Sequence, residues 1–180
     1  MARTWVALLR GINVGGKNKL PMKELAAIFG EAGCSAVRTY IASGNVLFGA
    51  SADLAARLPA VVAKKIAARF ELEVPVVVRG SDELAALVRD NPFLAAGADP
   101  ATLAVMFLAD KPTAQKLATL DAGRSVPDEY IVRGRDIYLR LRNGFAETKL
   151  TNAYFDSKLA TVSTARNWRT VLKLNELSQP

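Results

Sequence analysis

The sequence contains no histidine and a single cysteine, Cys34. Without histidine there can be no Ser-His-Asp or Cys-His nucleophile system, and the commonest general base near neutral pH is missing. One cysteine and no histidine also leave no zinc site of the usual kinds and no intramolecular disulfide, which suits a reducing compartment. Carboxylates could still hold magnesium, but no close Asp-x-Asp pair occurs, so neither a metal nor a cofactor is expected. No run of about 18 apolar residues is present, so no membrane span or membrane partner is expected. Residues 1–10 hold a short apolar stretch soon interrupted by arginine and glycine, which reads as a first strand rather than a secretory leader. The expected location is cytoplasmic.

What is present is a chain of 180 residues, 51% hydrophobic, with a formal net charge of +7. That apolar content exceeds what a disordered chain carries and predicts a sizeable core. The basic balance favours an anionic partner, either nucleic acid or a phosphorylated small molecule, although solubility alone can also account for it. Any enzyme built from this sequence must work with Asp, Glu, Lys, Tyr, Ser or substrate positioning.

The first half predicts a strand over 3–9, a glycine-rich loop over 10–20, and a helix opened by Pro21. A short strand over 37–41 and a turn at Ser43-Gly44-Asn45 lead to a second strand over 46–48. Ser51 or Asp53 then caps a helix to about Phe70, with Pro59 awkwardly inside it, and a strand follows over 74–78. This βαββαβ order is ferredoxin-like. The second half predicts a helix from Ser81, a strand over 103–108, a helix over 112–120, and a hairpin of strands over 129–132 and 137–141. Helical segments over 148–159 and 164–177 follow. The expected fold is therefore α+β, with a ferredoxin-like domain at 1–80 and a smaller αβαββαα domain at 81–180.

Gly11, Gly16 and Lys17 match the glycine and lysine spacing of a phosphate-binding P-loop after a strand, but Asn18 stands where the magnesium-holding Ser/Thr belongs. The helix is also signalled only at Pro21, so the P-loop reading is rejected. A milder reading keeps Arg10, Asn13, Gly15, Gly16, Lys17 and Lys19 as candidate anion-binding residues, with backbone N–H groups and cations on one loop. The alternative is a long connection whose glycines only let the chain turn. Near the C-terminus, Ser163 or Thr164 is expected to cap the last helix and to put Arg166, Arg169 and Lys173 on one face. Arginines in a first helical turn oppose the helix dipole and call for a negative partner, either a ligand or a carboxylate such as Asp156. Lys149, Arg166 and Asn167 join the candidate anion site on this ground. Tyr138, Arg140 and Arg142 alternate along a strand, which would present an RNA-stacking face unless that face is covered. Cys34 reads as a small apolar residue.

Five segments, taken in order, resemble one bacterial family. They are Leu9-Arg10-Gly11-Ile12-Asn13-Val14-Gly15-Gly16, Arg38-Thr39-Tyr40-Ile41-Ala42-Ser43-Gly44-Asn45-Val46, Asn91-Pro92-Phe93, Lys149-Leu150-Thr151-Asn152 and Arg166-Asn167-Trp168. The family is that described as domain of unknown function 1697 (DUF1697), and the similarity spans almost the whole chain. It implies a two-part α+β structure with a ferredoxin-like first half. It carries no established activity, so no catalytic residues are transferred.

The function expected on these grounds is a binding module for an anionic partner, single-stranded nucleic acid or a phosphorylated small molecule, held between the two halves. The alternatives are a metal-free, histidine-free enzyme, for example a transferase, and a protein-interaction or assembly subunit.

Overall fold

The run Arg3–Leu9 forms β1, the central strand of the first sheet. Both faces of this strand are apolar: Ala7 and Leu9 point into a core with the helices, while Val6 and Leu8 on the other face are equally buried. The computed structural model describes residues 3–179. After β1 come α1 (Met22–Glu31), β2 (Ser35–Tyr40), β3 (Asn45–Ala50), α2 (Ala52–Phe70) and β4 (Val76–Gly80). The sheet order is β2-β3-β1-β4, with every pairing antiparallel, which is the ferredoxin-like arrangement expected. Leu25, Ile28 and Phe29 of α1 and Leu58, Val62 and Ile66 of α2 close over Leu9, Val46, Phe48 and Val76. Ser51 caps α2 through the Leu54 amide. The helix then continues past Pro59 without a break, because the buried Leu58 and Val62 on either side hold it to the sheet against the lost hydrogen bond.

The chain continues through α3 (Ser81–Arg89), α4 (Pro92–Ala95), a single 3-10 turn (Pro100–Thr102) and β5 (Leu103–Leu108). Then come α5 (Ala114–Leu117), β6 (Glu129–Arg133), β7 (Asp136–Arg140), α6 (Asn152–Leu159), β8 (Ser163–Asn167) and α7 (Trp168–Ser178). The second sheet, β6-β7-β5-β8, repeats the order of the first. This corrects the sequence-based order αβαββαα. Residues 163–167 are a strand, not the start of a helix, because β5 leaves an edge that they fill from Leu108↔Ser163 to Ala104↔Asn167. Helix α7 starts directly after this strand, capped by Asn167, whose Oδ1 accepts from the Thr170 amide at 2.8 Å. Arg166 therefore shares no helical face with Arg169 and Lys173. Two predicted helices also shorten: α5 and α6 begin only after Thr113 and Thr151, which cap them.

Each half thus reads βαββαβα, and equivalent positions match in register. Val6 lies between Leu47 and Arg79, and Val105 lies between Tyr138 and Arg166. Arg79 and Arg166 each donate from Nη1 to the carbonyl of the preceding residue, at 3.0 and 2.8 Å.

The chain divides into two compact units, Met1–Ala85 with Leu174–Pro180, and Ala86–Lys173. The division falls inside α3, where the sequence reading cut at Gly80, and the end of α7 belongs to the first unit. Within the first unit Arg38 of β2 donates to the Leu177 carbonyl in the last turn of α7, at 3.0 Å. Within the second, Arg133 of β6 donates to the Asp90 carbonyl just past α3, at 2.8 Å. In both, an arginine from the second strand serves the carbonyl-bearing end of a helix, where a cation is favoured.

One glycine decides how β1 meets the turn between β2 and β3. Gly44 has φ +86°, and a Cβ there would lie 2.8 Å from Leu9 Cβ and 2.9 Å from Ile12 Cδ1. Gly44→Ala is expected to cost about 2–4 kcal/mol, from left-handed strain plus overpacking. Gly15→Ala meets nothing within 4 Å and carries only the backbone term. Urea denaturation of both variants checks this, and equal losses would contradict it.

Candidate functional site

The loop over 10–20 folds back on itself. The Asn13 amide donates to the Asn18 carbonyl at 3.1 Å and the Lys17 amide to the Val14 carbonyl at 3.0 Å. Val14 and Lys17 form a bridge, and Gly15 and Gly16 between them sit at φ +58° and +74°, as a tight type I′ hairpin turn requires. The turn thus accounts for these glycines without a ligand. Asn13 and Asn18, at φ +54° and +49°, use the tolerance of asparagine for left-handed backbone.

Asn13 is a clamp. Its Nδ2 donates to the carbonyls of Leu20, at 2.9 Å, and Ala42, at 2.8 Å, while its Oδ1 accepts from the Leu20 amide at 2.9 Å. Asn18 Nδ2 donates to the Gly11 carbonyl at 2.8 Å. The bond to Ala42 ties the loop to the β2–β3 turn. There the buried Asn45 donates to the Tyr40 carbonyl and to Ser43 Oγ, and the Gly44 carbonyl accepts from the Leu9 amide. Val14 and Ile41 stand out from this locked pair of loops at 62% and 50% exposure, beside the exposed Lys17 and Lys19. Ile41 is β-branched and sits at φ +51°, a conformation that costs about 1–2 kcal/mol.

On the flank of the hairpin, the Arg10 amide donates to the Pro75 carbonyl at 3.0 Å and holds the approach to β4 against the end of β1. An open groove of about 620 Å³ lies here, lined by Arg10, Gly11 and Asn18 from the loop, Ala63, Lys64 and Ala67 from α2, and Glu73, Val74 and Pro75 before β4. Its floor is apolar and its charges are two cations and one carboxylate. The Lys64 and Glu73 side chains, both exposed, make no hydrogen bond or ion pair with another described residue.

Of the residues expected from sequence, Arg10 lines the groove, while Asn13, Gly15, Gly16, Lys17 and Lys19 form the adjoining hairpin. Lys64 and Glu73 carry no local sequence signal. They are reached only through topology, because β1 and β4 are antiparallel neighbours and so the residues before β4 must meet those after β1.

A family model described as "Protein of unknown function (DUF1697)" matches residues 2–138. The chain belongs to this family. It is also similar, over 99% of its length and 100% of the other chain, to the solved structure titled "The structure of conserved bacterial protein SP0830 from Streptococcus pneumoniae", with a TM-score of 0.74 and 21% identity. That likeness bears on the fold alone. No curated protein matches the sequence.

The remaining expected residues of this DUF1697 chain lie in its second unit. Lys149 is exposed; its amide donates to Ser125 Oγ at 2.9 Å and its carbonyl accepts from Arg124 Nε at 3.1 Å. Next to it, Leu150 is core, Thr151 caps α6, and Asn152 Nδ2 donates to Ser163 Oγ at 2.9 Å. Arg166 is only 8% exposed, and its Nη1 also donates to Thr164 Oγ1 at 2.9 Å. Burial pushes its pKa down to about 10, so the guanidinium stays charged at neutral pH. Asn167 is spent as the α7 cap.

The Tyr138 face differs from the RNA-stacking reading. Tyr138 is 3% exposed and donates its hydroxyl to the Leu87 carbonyl at 3.0 Å, and Arg140 and Arg142 both approach Glu129 Oε2, at 3.2 and 3.4 Å. Cys34 packs against the first core, where burial pushes its thiol pKa up. Among the described residues no helix is long and apolar enough to cross a membrane.

Two outcomes are expected. Asn13→Ala should speed hydrogen exchange at the Leu20 amide and cost about 1–3 kcal/mol, since three bonds fail together; unchanged exchange would show that the clamp is dispensable. Burial, reinforced by Asp136, pushes the Tyr138 phenol up to about 12 from 10.0. Because the folded state holds this proton more tightly, the associated stability is present below pH 10 and fades as pH rises to about 12. Ultraviolet titration should show the latest-ionising phenol disappear in Tyr138→Phe; an identical curve would contradict it.

Proposed function

We propose that the groove beside the first loop binds a small phosphorylated ligand. The observation that carries this reading is the pairing of Arg10 with Lys64 over an apolar floor, in a groove within the size range of small-molecule sites, about 300–1,000 Å³. Lys64, which no other described residue engages, offers a mobile point charge suited to phosphate oxygens, and Arg10, which has a further interaction within the chain, adds positive charge to the same groove.

A single-stranded nucleic acid fits less well. Such partners are held by aromatic side chains stacked on bases along a basic track. The centre of the first sheet offers no such platform, since Val6, Leu8 and Leu47 on the face away from its helices are at most 1% exposed. Among the described residues the exposed large apolar side chains include one aromatic, Phe145, in the second unit. The enzyme alternative calls for a buried carboxylate or tyrosine of displaced pKa beside the loop, whereas the displaced tyrosines, Tyr130 and Tyr138, belong to β6 and β7.

Calorimetric titration with small organic phosphates near 0.15 M salt tests the reading. Arg10→Ala and Lys64→Ala should each weaken binding roughly tenfold or more, as expected for a charge-assisted contact, with Lys17→Ala nearly neutral. If instead single-stranded RNA binds at that salt and the loss follows Lys17→Ala and Lys19→Ala alone, the hairpin rather than the groove is the site.

A further inference from the structure

We infer that the groove's ligand is a sugar phosphate, a non-aromatic polyol whose hydroxyls are received by Glu73; this rests on the phosphate reading above. Glu73 is the group that discriminates among phosphates. An ionised carboxylate only accepts hydrogen bonds, and in a site for phosphate it is repulsive unless the ligand brings donors to it. Some carboxylates elsewhere in the chain are neutralised by ion pairs, Glu31 by Lys65 and Arg69 and Glu129 by Arg140 and Arg142, while other exposed ones stand open to solvent; Glu73 is the one that lines the groove. Glu73 and Lys64 line the same groove and are paired neither with each other nor with any other described residue. A ligand with phosphate at one end and hydroxyls at the other engages both. A carboxylate receiving a pair of sugar hydroxyls is a well-founded recognition mode, as in ribose binding by dinucleotide folds.

The rest of the lining sets the shape of the ligand body. Ala63 and Ala67 stand one turn apart on α2 and so share a face, and their small side chains leave width between α2 and Val74 and Pro75. Such a wall takes the C–H face of a sugar ring. None of the nine lining residues is aromatic, so a nucleobase would find no stacking partner.

The test is calorimetry on the full chain with ribose 5-phosphate, AMP, phosphoethanolamine and inorganic phosphate. Ribose 5-phosphate should bind at least tenfold tighter than inorganic phosphate, with AMP no tighter than ribose 5-phosphate. Glu73→Gln should erase that advantage while leaving inorganic phosphate unchanged or slightly tighter. This variant is expected to keep the fold, because the Glu73 side chain makes no hydrogen bond or ion pair with another described residue. If all four bind alike through Arg10 and Glu73→Gln strengthens every one, the phosphate reading stands and the sugar inference fails. AMP or phosphoethanolamine binding more tightly than ribose 5-phosphate would overturn it in favour of base or amine recognition. Binding of none of them, or binding indifferent to Arg10→Ala, would remove the phosphate reading itself.

Discussion

The close approach of Gly44 to Leu9 and Ile12 determines where the first unit's loop surface can stand. Because no side chain intervenes, the β2–β3 turn lies directly on the end of β1, and the Gly44 carbonyl takes the Leu9 amide. That brings Ala42 within reach of Asn13, whose side chain then bonds at once to the far end of its own loop at Leu20 and to the β2–β3 turn. A glycine-rich connection, ordinarily a mobile part of a protein, becomes a hairpin fixed at both ends. The strained backbone at Ile41 persists because its neighbours over-determine it. Fixing the hairpin in turn fixes Arg10 and Asn18, and with them one wall of the groove.

The repeated topology shapes where a site can form. In both units the first strand is central and apolar on both faces, which lets it be covered twice. Equivalent arginines, Arg79 and Arg166, occupy the same register on the last strand of each sheet and are nearly inaccessible. A βαββαβ unit that binds through an open sheet needs one face free. With that face closed, the polar chemistry left to the first unit lies in the connections at the strand ends, where the loop after β1, α2 and the approach to β4 come together.

Much of this was legible in the residues, and the gaps have physical causes. Long apolar strands such as 103–108 announce themselves because burial on both faces demands continuous hydrophobicity. The strand over 163–167 does not, since Ser163, Thr164 and Arg166 lack an apolar pattern and the segment is held by an edge that β5 offers. The sequence reading made it a helix for want of any view of that edge. Asn13 was legible as important but not as a clamp: an asparagine in a glycine-rich loop looks the same whether it serves a ligand or the backbone. Lys64 and Glu73 were invisible because their meaning depends on Arg10, more than fifty residues away in the chain, and only strand order makes them neighbours.

The net charge of +7 is a weaker guide than it first suggests. Many of the cations are already engaged: Arg3 with Asp82, Arg69 and Lys65 with Glu31, Arg89 with Asp90, and Arg140 and Arg142 with Glu129. These are exposed pairs whose value to stability is small, yet each removes a donor from the pool open to a ligand. Lys17 and Lys19 are exposed on the hairpin, next to the groove rather than in it. Charges so placed act mainly on encounter, raising the rate at which an anion arrives and fading as salt screens them. Lys64 is different, since it lines the groove itself, together with Arg10 and Glu73. On the proposed reading the hairpin draws an anion in and the groove discriminates among anions, so overall charge reports on the first step and says little about the second.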